Sequence, residues 1–155
     1  MTGAEDPDPR RRDEQTLDRE LDELTSELRT AVPGATVLLA FLLTVPFASG
    51  FPTLDVVQRA AYFLAFLSTA VAVVFLLGEA AYHRLCGKPY DKGGLIRTAS
   101  RQLVVALVLL ACALSSAVFL VTDLLFGAAA SVPVTGVVAG LVLVVWFGLP
   151  LSRRR

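Results

Sequence analysis

Four long stretches of the chain contain no Asp, Glu, Lys or Arg, and this pattern limits the fold more than any other feature. The stretches are Thr30 to Leu54, Ala60 to Gly78, Gln102 to Thr122 and Leu124 to Ser152. A helix needs roughly 20 apolar residues to cross about 30 Å of hydrocarbon, and each stretch is about that long. None shows the polar face of a helix on the surface of a soluble protein. The pattern therefore predicts four transmembrane helices.

The composition agrees with this prediction. Hydrophobic residues make up 55% of the 155 residues, above the roughly 45–50% of ordinary soluble domains. A soluble bundle would need enough polar helix to cover four apolar ones, and the sequence offers only one such helix. We expect an all-α, integral membrane four-helix bundle over residues 31–151, preceded by a cytosolic amphipathic helix. The spans are predicted at about 31–49, 54–82, 95–126 and 133–151.

The segment before the first span divides into two parts. Residues 1–12 are rich in Pro, Asp and Arg, which is typical of a disordered terminus. Residues 13–30 predict a helix with one narrow apolar stripe, because four leucines recur at helical spacing. The stripe consists of Leu17, Leu21, Leu24 and Leu28. The rest of this helix carries seven acidic residues against two basic ones.

An acidic helix of this kind needs a partner other than the lipid surface, because anionic lipid repels it. One candidate is the basic loop between the second and third spans. The loop carries Arg84, Lys88, Lys92, Arg97 and Arg101 against Asp91. A second copy of the chain, paired through the leucine stripe, is another candidate, and so is a cytosolic or membrane protein partner. A solvated connector without a partner is the remaining interpretation.

Two prolines and one small-residue segment predict where the spans begin and end. Pro33 suits the first turn of the first span. Pro46 cannot donate a hydrogen bond to the carbonyl of Leu42, so the first span should kink or end there, and both outcomes stay open. Gly127 to Val132 predicts a tight connection between the third and fourth spans. Cys86 and Cys112 are too far apart along helical chain for a disulfide.

The basic residues predict the orientation of the spans. All Lys and Arg except Arg59 fall in residues 1–30, in the middle loop or in the basic tail at residues 152–155. Basic residues flanking transmembrane helices stay in the cytoplasm. The sequence therefore predicts cytoplasmic N- and C-termini and a cytoplasmic middle loop. Trp146 is expected near the inner end of the fourth span, where aromatic residues meet the interface.

Several short motifs resemble a known family. They are Glu27-Leu28-Arg29, the segment Ala40 to Phe47, Arg59 with Tyr62, His83-Arg84, and Leu120-Val121-Thr122-Asp123. Over roughly residues 13–130 the chain resembles a family of small actinobacterial four-span membrane proteins of unknown function. The resemblance implies the fold and a location in the bacterial plasma membrane, and it implies no mechanism. Some members carry an automatic label of sodium:proton antiporter.

A candidate site lies near the inner end of the second span. Glu79 stands about one turn before this end, and His83 follows at i+4 on the same helical face. The pair could exchange protons at a cytosolic mouth, because histidine titrates near neutral pH. The alternative is a pair of interfacial charges that extend to water.

A second candidate site lies at the outer ends of the second and third spans. Asp55 and Arg59 are four residues apart in the second span, and Asp123 is predicted at the same membrane level. A desolvated charge at this depth needs a partner, so we expect an ion-pair cluster that ties the two spans together. An ion entrance is the functional alternative.

The fourth span carries a close-packing motif, Gly136-x-x-x-Gly140. Small residues at this spacing let two helix backbones approach closely in a membrane. The motif is expected either to seat the fourth span against a neighbour in the same chain or to form a contact in a homo-oligomer.

The sequence does not point to an enzyme, a cofactor or a nucleic-acid partner. It contains one histidine and a net charge of zero, and it lacks a phosphate-binding loop and a nucleophile elbow. A cation/proton antiporter normally needs an acid near the bilayer midplane, and the four uncharged stretches contain none. We therefore predict a structural or accessory interaction protein of unknown activity. The alternative is an oligomeric cation/proton-coupled transporter that uses Glu79, His83 and Asp123.

Overall fold

A computed structural model describes residues 9–85 and 92–148 of the chain. The described part contains four α-helices and no strand, which confirms the all-α prediction. The helices are α1 (Pro9–Thr44), α2 (Val56–Leu85), α3 (Lys92–Phe126) and α4 (Ala128–Leu143). Short 3₁₀ turns at Val45–Phe47 and Phe51–Thr53 connect α1 to α2, and a π-helical turn at Val144–Gly148 follows α4.

Each α-helix contains a segment that is long and apolar enough to cross a membrane. The four segments are Ser26–Phe47, Val56–Gly78, Arg97–Phe126 and Ala128–Trp146. Large apolar side chains cover the outside of these segments, among them Phe41, which is 69% exposed. A soluble protein would bury such a surface, whereas a lipid-facing surface is expected to be apolar.

The helix α3 lies at the centre of the bundle. It forms an antiparallel pair with α2, and α1 packs against both of these helices. The helix α4 packs against α3, and within the described residues its backbone does not closely approach that of α1 or α2. The bundle is therefore a three-helix group with α4 attached along one side of α3.

Buried alanines explain the close packing of α2 against α3. Ala99, Ala106 and Ala113 recur every seven residues along α3, and Ala65 and Ala72 do so along α2; none is more than 2% exposed. A seven-residue repeat keeps the same residues facing a partner helix. Small side chains let the two backbones approach, and this packing drives helix association where lipid removes the hydrophobic contribution.

Two apolar clusters join α1 to this pair. At the predicted inner end, Leu28 and Ala31 of α1 pack against a buried group. That inner cluster consists of Ala35, Ala72, Leu76, Leu103, Ala106 and Leu110. At the predicted outer end, the buried group consists of Leu42, Tyr62, Ala65 and Leu120.

The N-terminal part of the fold differs from the prediction in three respects. The predicted amphipathic helix and the first span form one continuous helix, α1, which begins at Pro9 within the stretch expected to be disordered. Pro33 lies inside α1 and not in its first turn. Leu28, Ala31, Val32 and Ala35 share one face of α1 and all pack on the inner cluster. We infer that this packing offsets the backbone hydrogen bond that Pro33 removes.

The structure resolves the effect of Pro46 on the first span. The α-helix ends at Thr44 and the chain continues as one 3₁₀ turn through Phe47. Since Pro46 has no N–H, the carbonyl of Leu42 loses its usual helical donor. The buried hydroxyl of Tyr62 donates to this carbonyl at 3.1 Å. A side chain of α2 therefore satisfies the backbone group that the proline leaves free.

The connection between α3 and α4 is shorter than the predicted segment Gly127 to Val132. Gly127 alone separates the two helices, with a φ of 76° that side chains disfavour. Its N–H donates to the carbonyl of Asp123 at 2.9 Å, and its own carbonyl accepts from the N–H groups of Ala130 and Ser131. The fourth span therefore begins at Ala128, and Pro133 lies inside α4.

Candidate functional site

The outer candidate site is organised around the carboxylate of Asp123. Its Oδ2 accepts a hydrogen bond from Nε2 of Gln58 at 2.9 Å. Its Oδ1 accepts one from the hydroxyl of Ser131 at 3.1 Å. Ser131 is fully buried. One carboxylate thus links the start of α2, the end of α3 and the first turn of α4.

Gln58 occupies this position because it belongs to the N-terminal cap of α2. Its backbone N–H donates to Oδ1 of Asp55 at 2.7 Å. Its side-chain oxygen accepts from the N–H of Asp55 at 3.1 Å. Such a reciprocal pair, three residues apart, is a capping box. The box fixes the Gln58 amide so that its NH₂ group faces Asp123.

Arg59 does not join this network. Its Nη2 atom donates to the carbonyl of Pro52 at 2.8 Å, in the turn before α2. Among the described residues no ion pair connects Arg59 to Asp55 or Asp123; the one observed joins Arg19 to Glu23. The structure therefore brings Asp55 and Asp123 together through Gln58, in place of the expected arginine. The cause is local, because Asp55 is committed to capping α2.

The inner candidate pair is placed by its backbone alone. Glu79 and His83 both lie in the last turns of α2, four residues apart. Their side chains are outside the described part of the structure, and so are residues 86–91 of the basic loop. Arg97 and Arg101, at the start of α3, are exposed. Docking of the acidic helix on the loop therefore stays a prediction, and Cys86 also lies outside the described residues.

The leucine stripe is only partly described. Leu28 packs against the inner cluster of its own chain, and Leu17 is half-buried. The side chains of Leu21 and Leu24 lie outside the described set. At least the last leucine of the stripe is therefore used inside the bundle.

The Gly136 and Gly140 motif does not seat α4 against α3. Gly136 is exposed, and a Cβ atom added at either glycine would meet no other atom within 4 Å. The first of the two predicted roles is therefore wrong for the described bundle, and the contact in a homo-oligomer stays a prediction. The close small-residue interface lies between α2 and α3, where the alanines alternate with leucines.

Hydroxyl groups in the middle of the bundle bond to their own helices. Thr69 donates to the carbonyl of Ala65 at 2.7 Å. Ser115 donates to the carbonyl of Ala111 at 2.8 Å. Both bonds are local alternatives to an interhelical contact. Within residues 9–85 and 92–148, no group of three or more His, Cys, Asp or Glu is placed to hold a metal ion.

A groove at the predicted cytosolic end was not foreseen from the sequence. Its volume is about 750 Å³, and α1, α3 and the turn after α4 form its walls. The lining residues are Glu23, Ser26, Glu27, Thr30, Ala31, Leu103, Leu107 and Trp146. The spacing of the polar residues along α1 placed them on one face. No sequence signal showed that Trp146 and the two leucines of α3 would face them.

These features define a class of protein, an all-α bundle with four helices able to cross a membrane. Within this class, the chain belongs to a family of unknown function, DUF6328, whose model matches residues 10–150. No curated protein matches the chain, and no solved structure matches it. Membership assigns no activity, so function has to be argued from the bundle itself.

Proposed function

We propose that the chain is an accessory protein of the membrane whose acidic helix end binds a basic protein surface in the cytosol. The observation that carries the proposal is the continuity of α1 from Pro9 to Thr44. The segment of α1 that is long and apolar enough to cross a membrane begins at Ser26, and the helix extends beyond it by roughly 25 Å at 1.5 Å per residue. An acidic rod fixed to a transmembrane helix suits a contact surface better than a flexible connector does.

The acidic side chains of this helix that the structure describes make no hydrogen bond or ion pair with another helix. Asp22, Glu23 and Glu27 are exposed. The described ion pair, Arg19 with Glu23 at 3.7 Å, joins two highly exposed side chains of the same helix. Solvent and salt screen such a pair strongly. The acidic groups therefore stay available to a basic partner, while anionic lipid repels them.

The distribution of acids in the spans also supports an accessory role. In the four described membrane-crossing segments, acidic residues stand only near segment ends, at Glu27 and Asp123. Cation/proton exchange usually depends on an acid close to the bilayer midplane. The bundle centre instead holds buried alanines and hydroxyl groups bonded to their own helices.

The proposal is tested by crosslinking in native membranes. A photoreactive residue at position 22 is expected to capture a specific partner. The same residue at position 137, on the exposed apolar face of α4, serves as the control. Reversing the charges at Glu23 and Glu27 to Lys should remove the product at position 22, and so should high salt. A product that survives the charge reversal would contradict the proposal.

One observation favours the transporter alternative. The carboxylate of Asp123 is held by two neutral donors and no described cation, so it keeps free lone pairs for a proton or an ion. Flux measured in proteoliposomes under a pH gradient tests this alternative. Flux abolished by Asp123→Asn or Glu79→Gln would replace the accessory role with an oligomeric cation/proton-coupled transporter. Absence of flux from folded, oriented protein would leave the accessory proposal in place.

A further inference from the structure

The groove between α1 and the turn after α4 has the volume of a small-molecule site. The helices α1 and α4 both pack against α3, and in the described residues their backbones do not approach each other closely. The space between them has a floor formed by Leu103 and Leu107 of α3. Its volume of about 750 Å³ falls within the roughly 300–1,000 Å³ typical of small-molecule sites.

The walls of the groove differ sharply in chemistry. The α1 wall is polar and carries two carboxylates, Glu23 and Glu27, one turn apart. The opposite wall and the floor are apolar and aromatic, with Trp146 beside the two leucines. None of the lining residues is cationic. Among the described residues, Glu23 pairs only with the exposed Arg19, and no cation pairs with Glu27.

The two kinds of wall are also arranged by depth. The membrane-crossing segment of α1 begins at Ser26, so the carboxylates lie at the predicted cytosolic mouth. The chain of α3 rises about 6 Å from Leu103 to Leu107 at 1.5 Å per residue. A bound molecule would therefore keep a charged head at the interface and an apolar body against the bilayer side of the groove.

We propose that this groove binds an amphipathic organic cation. The carboxylates of Glu23 and Glu27 attract its positive head, and the indole face of Trp146 adds a cation–π contact. Leu103 and Leu107 bury its apolar part. An anion is repelled by the same carboxylates. A bare metal ion would leave the leucines and the indole unused, because hard cations take oxygen ligands. This binding goes beyond the proposed accessory role and does not depend on it.

The groove contains its own reporter, because Trp146 is the single tryptophan of the chain. The full-length protein in phosphatidylcholine nanodiscs is titrated with tetraphenylphosphonium while Trp146 emission is recorded. Tetraphenylborate, which has nearly the same shape and the opposite charge, is the matched ligand control. A saturable change is expected with the cation and not with the anion.

Variants test which side chains bind the cation. The double variant Glu23→Gln with Glu27→Gln should weaken cation binding by about tenfold or more, since charge-assisted contacts are lost. Asp22→Asn removes an exposed acid of the same helix that does not line the groove, and its affinity should stay within about twofold of the wild type.

Three results would overturn the proposal. The first is an equal response to the two ions, and the second is an unchanged affinity in the double Gln variant. The third is an emission shift caused by replacing Arg153, Arg154 and Arg155 with Gln, in a protein that does not respond to the cation. That result would show that the basic tail of the chain itself occupies the groove. The crosslinking test of the accessory role has a separate readout, the capture of a protein at position 22, so failure of cation binding and failure of the accessory role are distinguishable.

Discussion

The hydrogen bond between Tyr62 and Leu42 should stabilise the bundle only because Pro46 is present. Proline at position 46 leaves the Leu42 carbonyl without a helical donor, and the Tyr62 hydroxyl replaces it at 3.1 Å. Tyr62 is 8% exposed and Leu42 is 5% exposed, so a water molecule cannot easily replace the Tyr62 hydroxyl as donor to the Leu42 carbonyl. The substitution Tyr62→Phe removes the hydroxyl and keeps the ring.

The expected cost of Tyr62→Phe follows from these contacts. The ring stays in place against Phe51, at a centroid distance of 5.2 Å, and against Phe66, at 6.2 Å. Packing is therefore unchanged, and the loss is that of one buried hydrogen bond to a backbone carbonyl. Such a loss costs about 1–3 kcal/mol in soluble proteins and about 0.6–1.7 kcal/mol in membrane bundles. We expect the free energy of unfolding to fall by about 1 kcal/mol.

A double-mutant cycle with Pro46→Ala isolates the effect. Alanine restores an N–H that can donate to the Leu42 carbonyl, so Tyr62→Phe should then cost less than about 0.5 kcal/mol. The assay is reversible unfolding in mixed detergent micelles, followed by circular dichroism at 222 nm. An equal cost of Tyr62→Phe with proline and with alanine at position 46 would refute the reasoning, because the hydroxyl would then act independently of the proline.

Three further substitutions are expected to separate essential contacts from incidental ones in the same unfolding assay. Ala106→Leu should lower the free energy of unfolding by about 1–3 kcal/mol, because it inserts a large side chain between α2 and α3. Val108→Leu, on the exposed face of α3, should leave the free energy of unfolding nearly unchanged. Gly127→Ala should lower the free energy of unfolding by about 1–3 kcal/mol, because a φ of 76° with a ψ of 176° is a conformation that is essentially restricted to glycine. Apart from its chain neighbours, no atom lies within 4 Å of the added Cβ, so an unchanged stability would show that the turn relaxes. Asp123→Asn should lower the free energy of unfolding by about 1–2 kcal/mol, because it weakens the link among three helices. Arg59→Gln should lower it by less than about 0.5 kcal/mol. A larger loss with Arg59→Gln than with Asp123→Asn would support the predicted ion-pair cluster.

The candidate site shows where prediction from the sequence was sound and where it was not. The Asp55-x-x-Gln58 spacing is a capping signature that could have been read directly from the sequence. This signature would have assigned Asp55 to the helix cap, and an ion pair between Asp55 and Arg59 would then not have been predicted. The contact of Ser131 with Asp123 could not be found in this way, because it depends on the one-residue turn at Gly127. That turn brings the first turn of α4 beside the end of α3.

The sequence by itself determined the number and approximate positions of the helices that are long and apolar enough to cross a membrane. It also predicted that Pro46 would interrupt the first span, and the structure decided between a kink and an end by ending the α-helix at Thr44. Hydropathy and the missing proline N–H act through neighbouring residues, so they can be read along the chain. The continuity of α1 across Pro33 was not predicted, because it depends on the packing of Leu28, Ala31 and Val32 against the inner cluster.

The tertiary structure alone decided which faces meet. It placed the alanines of α2 and α3 in the tight interface and left Gly136 exposed. It also made Gln58 the hydrogen-bond donor to Asp123 and formed the groove that Trp146 lines. Lipid accepts any apolar face, so hydrophobicity does not fix the rotation of a transmembrane helix about its axis. The rotation is set by steric fit between helices that are distant in sequence, and the contacts between side chains follow from that fit.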